Sequence, residues 1–344
     1  MSAPLRTAAA VAFAFLACAA PHADAEHPFI VDGYREAVFH VSDIERQTEF
    51  YRRVAGWQVL HSGEVPSSLL ARYGFAAAVT ARETVLGNPG TRRGFVRLVQ
   101  LSGVSQQQMR SGAQAWDTGG IFDVNARVLD MGKKFAEFQA RNWQAVSDPV
   151  EFSFGPFVVK EWLTRGPDGI VLALIERVQP PLEGWPHLKE LSRLFNATQV
   201  VADADAAKAF YVDKLGFEVY LEHSAASDQP EQNVLGLPHN LANTVARDVF
   251  ILHPSGTNEG SIEVLGFDGA VGRDFASRVK PENLGIFTLR FPVRDLDQFA
   301  EELNEKGVEV LLEPAASRLA PYGATRLMAI RGPGGIWLEF FEEG

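Results

Sequence analysis

The chain repeats itself at a long, nearly constant interval. Val41-x-Asp43, Phe50-Tyr51 and Gly56 return as Val201-x-Asp203, Phe210-Tyr211 and Gly216, each 160 positions later. Val128-x-Asp130 returns as Val293-x-Asp295, 165 positions later, and Gly166-Pro167-Asp168-Gly169 returns as Gly332-Pro333-Gly334-Gly335 after 166. Repetition of this kind restricts the fold to copies of one supersecondary unit. It also allows equivalent positions in the copies to be compared for chemistry.

Four units follow, each a strand, a helix and further strands. In the first, Glu36 to Val41 is extended, and Asp43 is placed to cap a helix running to Val54, which Gly56 ends. Strands follow at Trp57 to Leu60 and Phe95 to Leu101. The second begins near Phe122, with Asp130 capping a helix that carries Met131, Phe135 and Phe138 on one face. Its strands Phe157 to Leu163 and Ile170 to Ile175 flank the Gly166–Gly169 turn. The third runs from about Phe195 to Gly266 and contains a polar, turn-rich loop from Ala225 to Asn243. The fourth runs from Leu284 to Phe341, and its Leu296, Phe299, Ala300 and Leu303 share a helix face between Asp295 and Gly307. Pro180, Pro181, Gly184 and Pro186 mark a linker over 178–192 between two halves, 34–177 and 190–343.

Residues 1–25 read as an export signal outside this scheme. Arg6 precedes an apolar stretch from Ala8 to Ala20, and Ala23-Asp24-Ala25 forms a small-x-small site before Glu26. The expected location is periplasmic or secreted; the alternative is a lipoprotein anchored at Cys18, the only cysteine. The apolar stretch is too short for a stable membrane span. The rest of the chain has no thiol or disulfide, so a large core must supply stability. A net charge of −11 without a basic run argues against nucleic acid and anionic lipid as partners. A small molecule is the expected one.

Val-x-Asp, Phe-Tyr, Gly-Trp/Phe-x-Val and the late Gly-Pro-Asp-Gly turn together resemble the vicinal oxygen chelate superfamily of glyoxalases, bleomycin resistance proteins and extradiol dioxygenases. The resemblance implies an α+β fold of four βαβββ units, paired into two glyoxalase-like domains whose curved sheets surround cavities. It covers nearly all of the chain after the signal. In this family, metal ligands come from the first and last strands of paired units, because alternation lets a polar side chain enter the cup from each strand.

Applied to the C-terminal half, the resemblance implies a set of Asn196, Glu263, Thr288 and Glu339. Two carboxylates, an amide and a hydroxyl suit Mn²⁺ or Mg²⁺ better than Zn²⁺. Glu339 or Glu263 would then serve as general base in a lyase or isomerase reaction. The bland alternative has these glutamates hydrogen-bonded to Asn196, Thr288, Arg290 or water. In the N-terminal half the same positions are Glu36, Arg97, Asp123 and Ala173, with His40 and Arg127 on the same strand faces. Glu36, His40, Arg97, Asp123 and Arg127 either pair internally or hold a carboxylated or phosphorylated ligand. His239 and His253 are candidate replacements for a lost ligand, and Trp162 and Trp337 are expected in core or cavity wall. The rival to an enzyme is a metal-free protein that sequesters a small molecule.

Overall fold

The computed structural model describes residues 27–344 apart from 155. The expected export signal and Cys18 lie outside the described residues. Unit one comprises β1 (Glu36–His40), α1 (Ile44–Val54), β2 (Gln58–Glu64), α2 (Ser67–Arg72), β3 (Thr80–Gly87) and β4 (Phe95–Ser102). Unit two comprises β5 (Ile121–Val128), α3 (Met131–Gln139), β6 (Gln144–Ala145), β7 (Val150–Phe154), β8 (Phe157–Arg165) and β9 (Val171–Gln179). Unit three has β10 (Leu191–Val200), α4 (Ala204–Ala209), β11 (Glu218–Ala225), β12 (Ala246–His253) and β13 (Ser261–Asp268). Unit four has β14 (Gly285–Pro292), α5 (Leu296–Glu305), β15 (Val310–Leu319), β16 (Gly323–Arg331) and β17 (Trp337–Glu343). The α+β arrangement of four similar units is as expected.

The repeated Val-x-Asp has a local cause. Asp43, Asp130, Asp203 and Asp295 each accept a hydrogen bond from the backbone N–H three residues on, which satisfies an otherwise orphaned donor in the first helical turn. Gly56 and Gly216, just past the helices of units one and three, both take positive φ, 69° and 74°, a conformation that disfavours other residues.

How the units pair differs from the expectation. The halves 34–177 and 190–343 do not each close a cup. One sheet runs β15-β16-β17-β14-β1-β4-β3-β2, joining unit four to unit one; the other runs β11-β12-β13-β10-β5-β9-β8-β6, joining unit three to unit two. The antiparallel seams set Glu36 opposite Arg290, and Asp123 opposite Thr198. The segment expected as a linker is partly strand, since β9 reaches Gln179 and β10 starts at Leu191. Repeat spacing identifies copies but is silent on which copies share hydrogen bonds.

A single large core joins the helix-covered faces of both sheets. It contains Ala37 and Phe39 from β1, Val124 and Ala126 from β5, and Tyr51, Phe138 and Phe299 from the helices. Alternation then turns Val38 and Val99 into the first cup, and Leu163 and Ala173 into the second, each with its own apolar cluster. The Ala225–Asn243 loop closes over the second cup, where Val234 and Leu235 pack on Phe122, Val171 and Leu265.

Candidate functional site

The pairing divides both residue sets expected from the sequence. Thr288 and Glu339 belong to the first cup, with Glu36, His40 and Arg97. Asn196 and Glu263 belong to the second, with Asp123 and Arg127. Asn196, Glu263, Thr288 and Glu339 therefore do not converge, and a metal site made from all four is ruled out by the sheet topology.

The first cup is filled by its own charges. The Arg97 guanidinium donates to Glu36 at 2.7 and 3.0 Å and to Glu83 at 2.7 Å. Arg290 donates to Glu36 at 2.8 Å and to Glu339 at 2.5 Å. Tyr73 donates to Glu339 at 2.5 Å, and Tyr322 to Glu36 at 2.9 Å. Glu36, Arg97 and Glu339 are fully buried. Burial pushes the Glu36 carboxyl up, but Arg97 and Arg290 outweigh it and hold it below its ordinary range. Burial likewise opposes the charge on Arg97 and Arg290, and their carboxylate partners raise both net. Thr288 donates to the Trp337 carbonyl at 3.0 Å. His40 stacks on Phe287 at 4.6 Å, and burial followed by Arg290 lowers it to about 4, so it is neutral. These residues do not fit a metal ion: a guanidinium occupies one ligand position and the carboxylates are already bound to cations.

The second cup is built differently. Asp123 and Asn125 on β5 alternate with core residues, while Asn196 and Thr198 come from β10 and Glu263 from β13. Asn125 donates to Asn196 at 2.8 Å, and Asn196 donates to Ser261 at 2.8 Å. Glu161 on β8 faces the same space. Asp123, Glu161 and Glu263 have no Lys or Arg partner within ion-pair distance among the described residues, in contrast to the first cup. Burial pushes Glu161 up to about 8, with Glu263 adding to it, and pushes Glu263 up to about 7. Asp123 is raised well above its usual range by burial, then by Glu263. Protonated carboxyls at neutral pH can donate hydrogen bonds that carboxylates cannot.

This set does not fit a metal either. Ala173 provides no donor at the fourth position, and the Asn196 amide is engaged at both ends. Among the described residues, no three His, Cys, Asp or Glu side chains converge closely enough to hold an ion. His253 does not replace a ligand, because its ring holds the 254–259 loop through Ser255 and the Glu259 carbonyl. His239 sits in a short turn of the covering loop. Trp162 is core, bonded to the Ser147 carbonyl at 3.0 Å, and Trp337 lines the first cup beside Phe287.

The second cup opens at one end into a cavity of about 430 Å³ lined by Arg127, Arg177, Trp185, Phe195, Tyr220 and Glu259, among others. Arg127 continues the Asp123–Asn125 face, and its guanidinium lies 4.3 Å over the Phe195 ring. Arg177 was missed from sequence because β9 runs four residues past Ile175, where the strand was expected to stop. Glu161, Glu83, Tyr73 and Tyr322 were missed because no repeat offset marks them.

Residues 193–340 match the family model described as glyoxalase/bleomycin resistance protein/dioxygenase superfamily. That stretch, spanning units three and four, carries a domain of that superfamily. An uncharacterized Bacillus subtilis protein, YwkD, is 28% identical over 153 residues, 44% of this chain and 98% of the relative. Crystal structures of maize (Zea mays) glyoxalase I and of a Bacillus subtilis protein provisionally assigned as a dioxygenase share the fold. The maize structure aligns with TM-score 0.59 and 16% identity, covering 91% of this chain and 92% of that one. The Bacillus structure aligns with TM-score 0.56 and 14% identity, covering 90% and 85%. At these identities the likeness extends to fold and not to reaction.

Proposed function

We propose that this protein binds a small organic molecule in its second cup without a metal, while the first cup serves as a neutralised structural core. One contrast carries the reading. Arg97 and Arg290 neutralise the carboxylates of the first cup, whereas Asp123, Glu161 and Glu263 in the second have no cationic partner, and Arg127, on the same strand face as Asp123, lines a cavity. Buried carboxyls without a neutralising cation are costly, and a ligand that hydrogen-bonds them gains affinity and orientation. Metal-assisted lyase or isomerase chemistry at Glu339 or Glu263 is the rival reading. It rested on a ligand set that the topology divides.

Thermal-shift measurements test this in two arms. A screen of small organic molecules is expected to give hits whose stabilisation disappears in Ala173→Leu, which narrows the second cup, and survives in Thr288→Val in the first. Mn²⁺, Mg²⁺ and Zn²⁺ are expected to give no stabilisation. An ion-dependent rise in melting temperature that Glu263→Gln removes would overturn the metal-free reading.

A further inference from the structure

We propose that the molecule bound by the second cup carries an oxyanion head group, carboxylate or phosphate, received by Arg127 and Arg177 at the cup's open end. This rests on the reading of the second cup as the ligand site and specifies what enters it. Arg127 on β5 and Arg177 on β9 stand on neighbouring parallel strands, in register through Arg127 opposite Ile175. Alternation puts Arg177 on the same face as Ile175 and Ala173, toward the cup.

Neither guanidinium has a carboxylate within ion-pair distance among the described residues, and the Nε of each is buried without a hydrogen-bond partner. Their contacts are rings. Arg127 lies over Phe195 and, at 5.8 Å, Trp185, and Arg177 lies 3.9 Å over Phe157. Two carboxylates line this cavity: Glu259 is held by Arg193, which stacks on Trp185 at 4.2 Å, and Glu183 is exposed and forms no ion pair with Arg127 or Arg177. Burial and then the nearby Arg177 charge lower Arg127 to about 10. Two neighbouring cations without an ion-pair contact repel each other. An oxyanion relieves that repulsion and takes planar, paired hydrogen bonds from guanidinium forks.

The surroundings set the orientation. Pro180, Pro181 and Trp185 form part of the cavity wall, and Glu161, opposite Ile175, stands one strand step from Arg177 toward the cup. The carboxyls of Glu161 and Glu263 offer hydrogen bonds but no positive charge, so the charged head faces the arginines and a neutral, hydrogen-bonding or aromatic body points inward.

The test uses phenyl phosphate, benzoate, inorganic phosphate and the neutral isostere benzyl alcohol, titrated against the full-length protein by calorimetry. Phenyl phosphate or benzoate is expected to bind, weaken with added salt, and weaken at least tenfold in Arg177→Gln, with partial recovery in Arg177→Lys. Preference between the two aromatic anions assigns phosphate or carboxylate as the head group, and inorganic phosphate shows what the head contributes alone. Equal binding of benzyl alcohol, or unchanged anion binding in Arg177→Gln with an unaltered melting temperature, would overturn the head-group assignment. If the neutral probe binds and Ala173→Leu blocks it, the cup reading stands while the head group falls. If no probe binds, the head-group assignment falls as well.

Discussion

Replacing Glu263 with glutamine isolates the electrostatic cost of the second cup. Burial moves its carboxyl from 4.5 to about 7. Between those values the native state keeps a proton that the unfolded chain has lost, so its contribution turns unfavourable as pH rises from about 5 to 8. The full difference corresponds to about 3 kcal/mol at pH 8. Water in the open cup screens this, leaving about 1–2 kcal/mol. Glu263→Gln removes the ionisable group while keeping an acceptor for Thr198. It is expected to be near neutral at pH 5 and stabilising by about 1–2 kcal/mol at pH 8, read from urea unfolding at both values. Glu161, raised to about 8, repels Glu263, so the double glutamine variant should gain less than the sum of the two singles. Equal destabilisation at both pH values, or a benefit confined to low pH, would show that Glu263 is paired and that the contrast between the cups is mistaken.

Arg97→Met leaves the buried Glu83 without its arginine and Glu36 with Arg290 alone, and is expected to cost about 3–5 kcal/mol in chemical denaturation. Because each sheet takes one unit from each half, residues 27–177 and 190–344 expressed separately should not yield folded monomers, yet should co-purify when expressed together. Independent cooperative unfolding of each half as a monomer would contradict the pairing. The chain is further expected to be processed at Ala25, so that N-terminal sequencing of the exported protein starts at Glu26; an intact Met1 in the mature pool would contradict this.

Much of the local structure was legible because its causes are local. Asp43, Asp130 and Asp295 sit where caps are needed, Gly56 and Gly307 where positive φ ends a helix, and Leu296, Phe299, Ala300 and Leu303 fall on one buried face. Strand pairing was not legible. β1 pairs with β14 and β5 with β10 across long stretches of chain, and the connections at 103–120 and 269–284 meet where Gln108 bridges Leu284 and Thr118 bridges Asp274. The positions chosen for chemistry were therefore right as strand positions but grouped by sequence half, which put Asn196 with Thr288 and Asp123 with Arg97. Internal pairing of Glu36 with Arg97 was one of the two alternatives read from the sequence, and the geometry selects it. β3 escaped notice because Thr80 to Gly87 mixes charged and apolar residues without clear alternation, and Glu83 was lost with it.

The central claim is that ligands enter the second cup and not the first. Methyl NMR during titration with phenyl phosphate tests it most directly. Shifts are expected at Leu163, Val171, Ile175 and Leu265 around the second cup, with Val38, Val99, Leu101 and Leu327 around the first unchanged. The reverse pattern, or shifts shared equally by both groups, would contradict the account.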